Sequence, residues 1–260
     1  MFYWYPKIKN LGIPMPKTVL LPYEKMRETT KAVLYENEDP PQHWNTYLEE
    51  VKAAAETIGY PVFIRADETS NKHDWVSSCY VEKPQDLEGH MFNIVEFVEM
   101  QFLSDLVVRG FVIREFIELD IKFTAFNGFP VAREFRFFVK GGRLQCWHPY
   151  WFPSAMVDPS TEDYISILAE MEKLSEVGLE LLTGYAEKIA GVLDEYWSID
   201  FCRLADGTWA MTDMAVGPNS YHFTLCQHSP QEQKESYPPP YEDTWKARHE
   251  ELRALQKKYE

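Results

Sequence analysis

The stretch 197-WSIDFCRLADGTWAMTDMAVG-217 contains two strand-like apolar runs on either side of Asp206 and Gly207. An Asp-Gly pair between two such runs is typical of a two-residue type I′ hairpin turn, in which both central residues need a positive φ. A two-residue turn at this point would place Asp200 directly opposite Asp213 on the paired strands. The sequence therefore predicts a hairpin that carries two carboxylates face to face.

Two opposed carboxylates need a compensating partner, because like charges at directly paired strand positions repel across about 4.5 to 5.5 Å between Cβ atoms. The two-residue turn places further side chains on the same face, namely Cys202, Leu204, Trp209 and Met211. A shared proton would relieve the repulsion, but a divalent cation does so more generally, and Mg²⁺ commonly binds one or two carboxylates together with substrate phosphates. We expect the pair to hold Mg²⁺. The alternatives are exposed carboxylates in separate environments, or a bulge that breaks the register.

Composition and charge disfavour several classes of protein. The 260 residues include 41 acidic and 26 basic side chains, a net charge of −15, which disfavours broad contact with a nucleic-acid backbone. Hydrophobic residues make up 45% of the chain, but its apolar runs fall short of the roughly 18 residues of a membrane span. The start MFYWYPKIKN has the wrong order for a secretory signal, and the four cysteines are too dispersed to suggest zinc or a disulfide framework. We expect a soluble, cytoplasmic protein.

The order of the predicted elements favours an α+β fold with two lobes around a cleft. A helix ending at Gly59, a strand in PVFIRAD (61–67) and a helix over 84–102 predict an α/β lobe. From about residue 106 strand follows strand, with hairpin turns at 127–128 and 141–142, which predicts an antiparallel meander. The predicted division is an N-terminal arm at 1–30, an N-terminal α/β lobe at 31–110, a C-terminal antiparallel-sheet lobe at 111–228, and a polar linker with a C-terminal helix at 229–260.

Candidates for phosphate binding lie in two basic segments. Arg65 ends a predicted strand and Lys72 lies in the polar loop that follows it, where a planar fork and a mobile point charge suit a phosphate. The predicted turn at 141–142 would place Arg136 opposite Trp147. Arg136 is then a candidate to contact a phosphate or a developing negative charge, oriented by Glu134. The alternatives are a surface ion pair for Arg65, a solvated Lys72 and a mutual Glu134 and Arg136 pair.

The strand VIREFIEL (112–119) is the candidate hinge for a purine nucleotide. Phe116 and Ile117 could sandwich the base while backbone groups read its edge. Glu115 and Glu118 flank them, and Glu118 could accept hydrogen bonds from ribose hydroxyls. On these residues alone, an ordinary amphipathic strand is the stronger interpretation.

Six short stretches share the order and spacing of one known family. They are IPMPKT (13–18), FIRADETSNKHDW (63–75), VIREFIEL (112–119), AREFRFF (132–138), HPYW (148–151) and WSIDFCRLADGTWAMTDMA (197–215). Together they resemble an ATP-grasp domain. More narrowly, they resemble the ATP-grasp group named for two arginines and a lysine, common in phage and bacteria, and the related eukaryotic cell-division-cycle 123 proteins. The resemblance runs from about residue 12 to 222.

The resemblance implies a two-lobed α+β fold that clamps ATP between antiparallel sheets, with adenine at a hinge strand and Mg²⁺ on acidic residues of the last strands. It implies roles for residues at matching positions. These are Arg65, Lys72 and Arg136 at the phosphates, with Lys72 and Arg136 also catalytic; Glu115, Phe116, Ile117 and Glu118 at adenine and ribose; and Asp200 and Asp213 at the metal.

One position departs from the family pattern. Many ATP-grasp proteins place an Asn two residues beyond the last acidic metal ligand, and this chain has Ala215 there. Asn219 is the candidate replacement for that ligand. The missing Asn puts a second Mg²⁺, and with it full catalytic competence, in question.

The implied function is an ATP- and Mg²⁺-dependent ligase that joins a carboxylate to an amine or similar nucleophile through an acylphosphate, releasing ADP and phosphate. Its expected partners are a small molecule or peptide with the carboxylate and an amine-type acceptor. One alternative is an ATP-binding clamp or assembly chaperone for a protein partner, as the cell-division-cycle 123 resemblance suggests. Another is nucleotidyl transfer or RNA-end ligation, which the acidic charge and the lack of a KxDG motif disfavour.

Overall fold

Two four-stranded antiparallel sheets and a separate hairpin organise the chain in a computed structural model, which describes residues 1–69, 71, 74–100 and 108–222. The first sheet has the strand order β1-β4-β2-β3, the second has the order β10-β9-β7-β8, and β5 pairs with β6. The strands are β1 (Thr18–Pro22), β2 (Val62–Ala66), β3 (Tyr80–Val81), β4 (Gly110–Glu115), β5 (Ile121–Ala125), β6 (Phe129–Ala132), β7 (Glu134–Lys140), β8 (Arg143–Pro149), β9 (Trp197–Arg203) and β10 (Trp209–Val216).

Helices cover one face of each four-stranded sheet. They are α1 (Tyr5–Ile8), α2 (Met26–Thr30), α3 (Gln42–Ile58), α4 (Leu87–Met100), α5 (Tyr164–Met171) and α6 (Glu176–Ala190), and a π-helical turn, Lys31–Tyr35, continues α2. None of the helices within the described ranges is long and apolar enough to cross a membrane.

The core of the first sheet confirms the predicted helices. The α3 helix ends at Ile58, and the backbone N–H of Gly59 donates to the carbonyl of Ala55 at 2.9 Å. In α4 the residues at helical spacing are all buried, and they pack against the core face of β2 and β4. These residues are Met91, Ile94, Val95 and Val98. The 3.6-residue period therefore located the buried face correctly.

The second sheet packs its core face against α6 and the N-terminal arm. Side chains of β7 and β9 lie in one apolar cluster with Leu182, Ala186 and Ile189 of α6. Trp4 and Ile8 belong to the same cluster, whereas β1, which follows them in the chain, pairs with β4 in the first sheet. The arm therefore connects the cores of both lobes.

The predicted meander was wrong for its first strand. Strand β4, which the sequence division placed in the C-terminal lobe, lies between β1 and β2 in the first sheet. Its first five residues are all buried, because a strand with neighbours on both edges and packed faces is covered throughout. The predicted linker and helix at 229–260 lie outside the described residues.

Candidate functional site

The predicted hairpin forms between β9 and β10, but its turn differs from the prediction. Leu204 pairs with Thr208, whose carbonyl accepts from the Leu204 N–H at 2.9 Å, so residues 205–207 make a three-residue loop. Gly207 alone in this loop has a positive φ, of 83°. A type I turn followed by one left-handed residue is the usual three-residue hairpin. The two-residue type I′ turn was therefore wrong.

A bulge in β10 restores the predicted opposition of the two aspartates. Met211 pairs with Phe201 and Asp213 pairs with Asp200, so Thr212 is the extra residue. The three-residue loop and the bulge shift the register in opposite directions, and the face-to-face placement is confirmed for a different reason than the one predicted. The bulge also places Trp209 and Met211 in the apolar core, which corrects the prediction that both share the aspartates' face.

Each aspartate is paired with an arginine. Arg136 donates to both carboxylate oxygens of Asp200, from Nε at 2.7 Å and from Nη2 at 2.8 Å. Arg65 donates from Nη1 to Oδ2 of Asp213 at 2.7 Å. Burial alone would lower the pKa of Arg136, but the adjacent charge and hydrogen bonds of Asp200 outweigh it and raise that pKa. Two cations therefore offset the repulsion between the carboxylates.

Arg136 lies opposite His148 rather than Trp147. The turn at 141–142 has two residues, as predicted, but the pairing of β7 with β8 shifts by one residue between Phe138 and Val139. Trp147 instead pairs with Phe137 and stacks on it, with ring centroids 6.0 Å apart, on the core face. A second unpredicted bulge thus turned His148 toward the face that carries Arg136.

A cavity of about 400 Å³ lies between the two sheets. Its aromatic end is formed by Phe63, Trp75, Phe116, Phe129 and Trp151, and its polar end by Arg65, Arg114, Glu134, Asp200 and Asp213. The rings of Trp75 and Phe116 stack with centroids 6.3 Å apart. The cavity therefore has an apolar slot and an ionic end.

The predicted hinge residues all line this cavity, namely Glu115, Phe116, Ile117 and Glu118. Glu115 donates its N–H to the carbonyl of Lys17 at 2.8 Å. The Glu118 carbonyl accepts from the Ala205 N–H at 3.0 Å. The segment is thus tied to the first lobe at one end and to the β9–β10 loop at the other.

A family model for an ATP-grasp domain, family 3 of the clade named for two arginines and a lysine, matches residues 52–220. The chain belongs to this ATP-grasp family. The match confirms the predicted superfamily, and the two antiparallel sheets with their helices confirm the two-lobed α+β ATP-grasp fold.

Solved structures similar to this ATP-grasp chain share little sequence with it. The biotin carboxylase domain of 2-oxoglutarate carboxylase from Hydrogenobacter thermophilus, with MgADP, ADP and bicarbonate, is 14% identical (81% of this chain, 38% of that one, TM-score 0.48). N5-carboxyaminoimidazole synthase from Aspergillus clavatus, with ADP and 5-aminoimidazole ribonucleotide, is 13% identical (82% and 43%, 0.40). A RimK domain ATP-grasp protein from Sphaerobacter thermophilus is 17% identical (81% and 55%, 0.41). The chain thus spans about two fifths to just over half the length of these proteins. No curated protein matched the sequence.

Sequence reasoning missed two buried residues of the ATP-grasp site. Arg114 lines the cavity, and its Nη1 donates to the Thr212 carbonyl at 2.5 Å. His148 is buried opposite Arg136, and its Nδ1 lies 2.7 Å from the carbonyl of Pro149. A charged residue inside an apolar strand drew attention to the aspartates, and the same signal was present at Arg114 in VIREF.

Two predicted residues lie away from this geometry. Lys72 is outside the described residues. Asn219 is exposed on a 3₁₀ turn after β10, Gly217–Asn219. Within the described ranges, groups of three or more His, Cys, Asp or Glu suited to a metal are absent. A metal at Asp200 and Asp213 would therefore depend on oxygen ligands from elsewhere.

Proposed function

We propose that this ATP-grasp protein is an ATP- and Mg²⁺-dependent ligase that joins a carboxylate to an amine or similar nucleophile and releases ADP and phosphate. The observation that carries the proposal is the interlobe cavity, aromatic at the hinge and ionic at the opposed aspartates. Its substrates would be a small molecule or peptide with a carboxylate and an amine-type acceptor. We place it in the cytoplasm, in the phage and bacterial group related to the cell-division-cycle 123 proteins.

The cavity suits a purine nucleotide. Its volume lies in the range of small-molecule sites, and aromatic walls with few polar groups are typical of them. In the proposal the base lies against Phe116 and Ile117, where hinge backbone groups read its edge. Glu115 and Glu118 meet the base and ribose, and Arg65 and Lys72 meet the phosphates at the other end.

The opposed aspartates fit Mg²⁺ by donor chemistry. Carboxylate oxygens are hard ligands, and Mg²⁺ usually takes one or two of them along with substrate phosphates. Both carboxylates already accept hydrogen bonds from arginines, but a carboxylate has about four lone-pair sites and can also bind a cation. In the proposal Asp200 and Asp213 hold Mg²⁺ with Asn219 as a third ligand, and the bound ion neutralises charge on the phosphates.

Arg136 and Lys72 are the proposed catalytic groups. Arg136 fixes Asp200 through two hydrogen bonds, and its charge stabilises negative charge that develops on the transferred phosphoryl group. Lys72 supplies a second, mobile cation at that group. The interlobe contact of Arg65 with Asp213 helps to close the base of the cavity against water.

The proposed reaction has two steps. A carboxylate oxygen of the substrate attacks the γ-phosphorus, the bond to the β,γ-bridging oxygen breaks, and ADP leaves. The acceptor nitrogen then attacks the acyl carbon, inorganic phosphate leaves, and the nitrogen loses a proton.

Incubation with ATP, Mg²⁺ and pooled amino acids and peptides tests this proposal. Chromatography should show ADP and phosphate that appear only with an acceptor pool, and Asp200→Asn should abolish them while circular dichroism shows a folded chain. AMP and pyrophosphate would contradict acylphosphate chemistry. Tight ATP binding without turnover would favour the clamp, or chaperone, alternative.

A further inference from the structure

Arg114 occupies the cavity face of the first sheet, directly before the hinge. It pairs with Thr18 of β1 and Phe63 of β2 in the sheet register. Because side chains alternate between faces, Phe63 and Arg65 point to the same side of β2, and both line the cavity with Arg114. Two arginines and a phenylalanine thus form one continuous wall next to Glu115.

The hydrogen bonds of Arg114 involve neutral oxygens. Its Nη1 donates to the Thr212 carbonyl at 2.5 Å, and its Nε lies 3.4 Å from Oγ1 of Thr18. Arg65 and Arg136 each have an aspartate. Among the described residues, by contrast, no carboxylate lies within ion-pair distance of Arg114. Its second terminal nitrogen, Nη2, has no partner in that part of the chain.

Burial makes this arrangement costly without a ligand. Arg114 is only 5% exposed, and a buried charge is disfavoured unless an opposite charge or hydrogen bonds compensate it. Burial lowers the pKa of Arg114 to about 10, to which the nearby Arg65 adds. The guanidinium therefore remains charged near neutral pH, at the wall of a cavity large enough for a ligand.

We propose that Arg114 is a phosphate-binding residue of this cavity and contacts a phosphate close to the nucleoside. The proposal rests on the proposed nucleotide site. A guanidinium presents a planar fork that matches phosphate oxygens, and Nη2 is the donor left for it. Because Arg114 adjoins the hinge, its phosphate is one that ADP and ATP share. The bond to Thr212 holds the guanidinium in place from the opposite lobe.

Binding of adenosine, ADP and ATP to the full chain, measured by calorimetry, tests this role. Wild-type protein should bind ADP and ATP at least about tenfold more tightly than adenosine. Arg114→Met should weaken ADP and ATP binding by about tenfold or more and leave adenosine binding unchanged. Arg114→Lys should lose less, because it keeps the charge but not the fork. Arg143→Met, an equal charge change at an exposed position of β8, should match wild type.

The outcomes separate this role from the others. If wild type binds no nucleotide, or binds adenosine as well as ADP, the proposed function fails and Arg114 with it. If wild type prefers ADP and the Arg114 variants keep that preference, only the Arg114 proposal is overturned. Equal loss of adenosine and ADP binding would show a structural role instead. Should Arg114→Met not fold, Arg114→Lys decides by the same comparison.

Discussion

At the scale of single residues, burial separates ion pairs that matter from those that do not. Asp200 is 4% exposed and bonds to Arg136 through both oxygens. Lys173 and Glu170 form a pair on the surface, where each side chain is about two thirds exposed. Breaking a buried pair leaves an uncompensated charge, whereas surface pairs contribute little.

Asp200→Ala should therefore lower the free energy of unfolding by about 3–5 kcal/mol, because it leaves Arg136 buried without its carboxylate. Urea unfolding measures this loss. Adding Arg136→Ala should cost less than the sum of the two single changes, and Lys173→Ala should have little effect. Strict additivity of the Asp200 and Arg136 losses would contradict the ion pair described here.

His148 should make stability depend on pH. Burial lowers its pKa to about 4, and the charge of Arg136 adds to this effect. The unfolded chain has the ordinary pKa of about 6.5, so between these values it binds a proton that the folded protein does not. Stability is therefore lost as the pH falls, by about 2 kcal/mol from pH 7 to pH 5 for this group. Urea unfolding of His148→Gln should show a shallower loss over this range. An unchanged slope would refute the assignment.

At the scale of elements, β4 depends on a glycine at its first residue. Gly110 has a φ of 135°, and a Cβ there would lie 2.2 Å from the carbonyl oxygen of Leu21. The strand could not keep this approach to β1 with any side chain at the position.

Gly110→Ala should destabilise the protein by at least about 1–3 kcal/mol from backbone strain, with the steric clash in addition. Gly89→Ala is the matched control, since it lies in α4 with nothing within 4 Å of a Cβ, and it should be neutral or stabilising by up to about 1 kcal/mol. Thermal unfolding compares the two variants. Equal effects would show that the contact between β1 and β4 is looser than described.

The hairpins show how far sequence patterns reach. Alternation and turn residues located β7 to β10, and the Asp-Gly pair located the last turn. Loop length and bulges depend instead on how each strand packs in three dimensions. Thr212 is out of register because Met211 must reach the core and Asp213 the cavity, and local sequence carries no sign of that demand. Aspartates could be paired from sequence, but their arginines could not, since Arg65 is 148 positions from Asp213.

The place of β4 and the role of Arg114 were also outside the reach of local patterns. A strand flanked by other predicted strands reads as one more strand of a meander, and only the sheet register reveals its pairing with β1 and β2. Arg114 faces a cavity whose opposite wall comes from β10. Its importance therefore became visible once both lobes were in place.

At the scale of the whole molecule, the two lobes meet through polar bonds around a cavity. Arg65 and Arg114 from the first sheet both reach β10 of the second, at Asp213 and at the Thr212 carbonyl. A nucleotide in the cavity would contact both sheets and these arginines together. Binding should therefore stabilise the arrangement of the lobes as well as fill the space between them.

Calorimetric titration of the full chain with ATP, with and without Mg²⁺, tests the central claim most directly. We predict one ATP per chain and at least about tenfold tighter binding with Mg²⁺, a gain of about 1.4 kcal/mol, because the opposed aspartates and the phosphates would share the ion. Asp213→Asn should remove most of that gain, whereas Lys173→Ala should keep it. Absence of ATP binding, or equal affinity with and without Mg²⁺, would contradict the account.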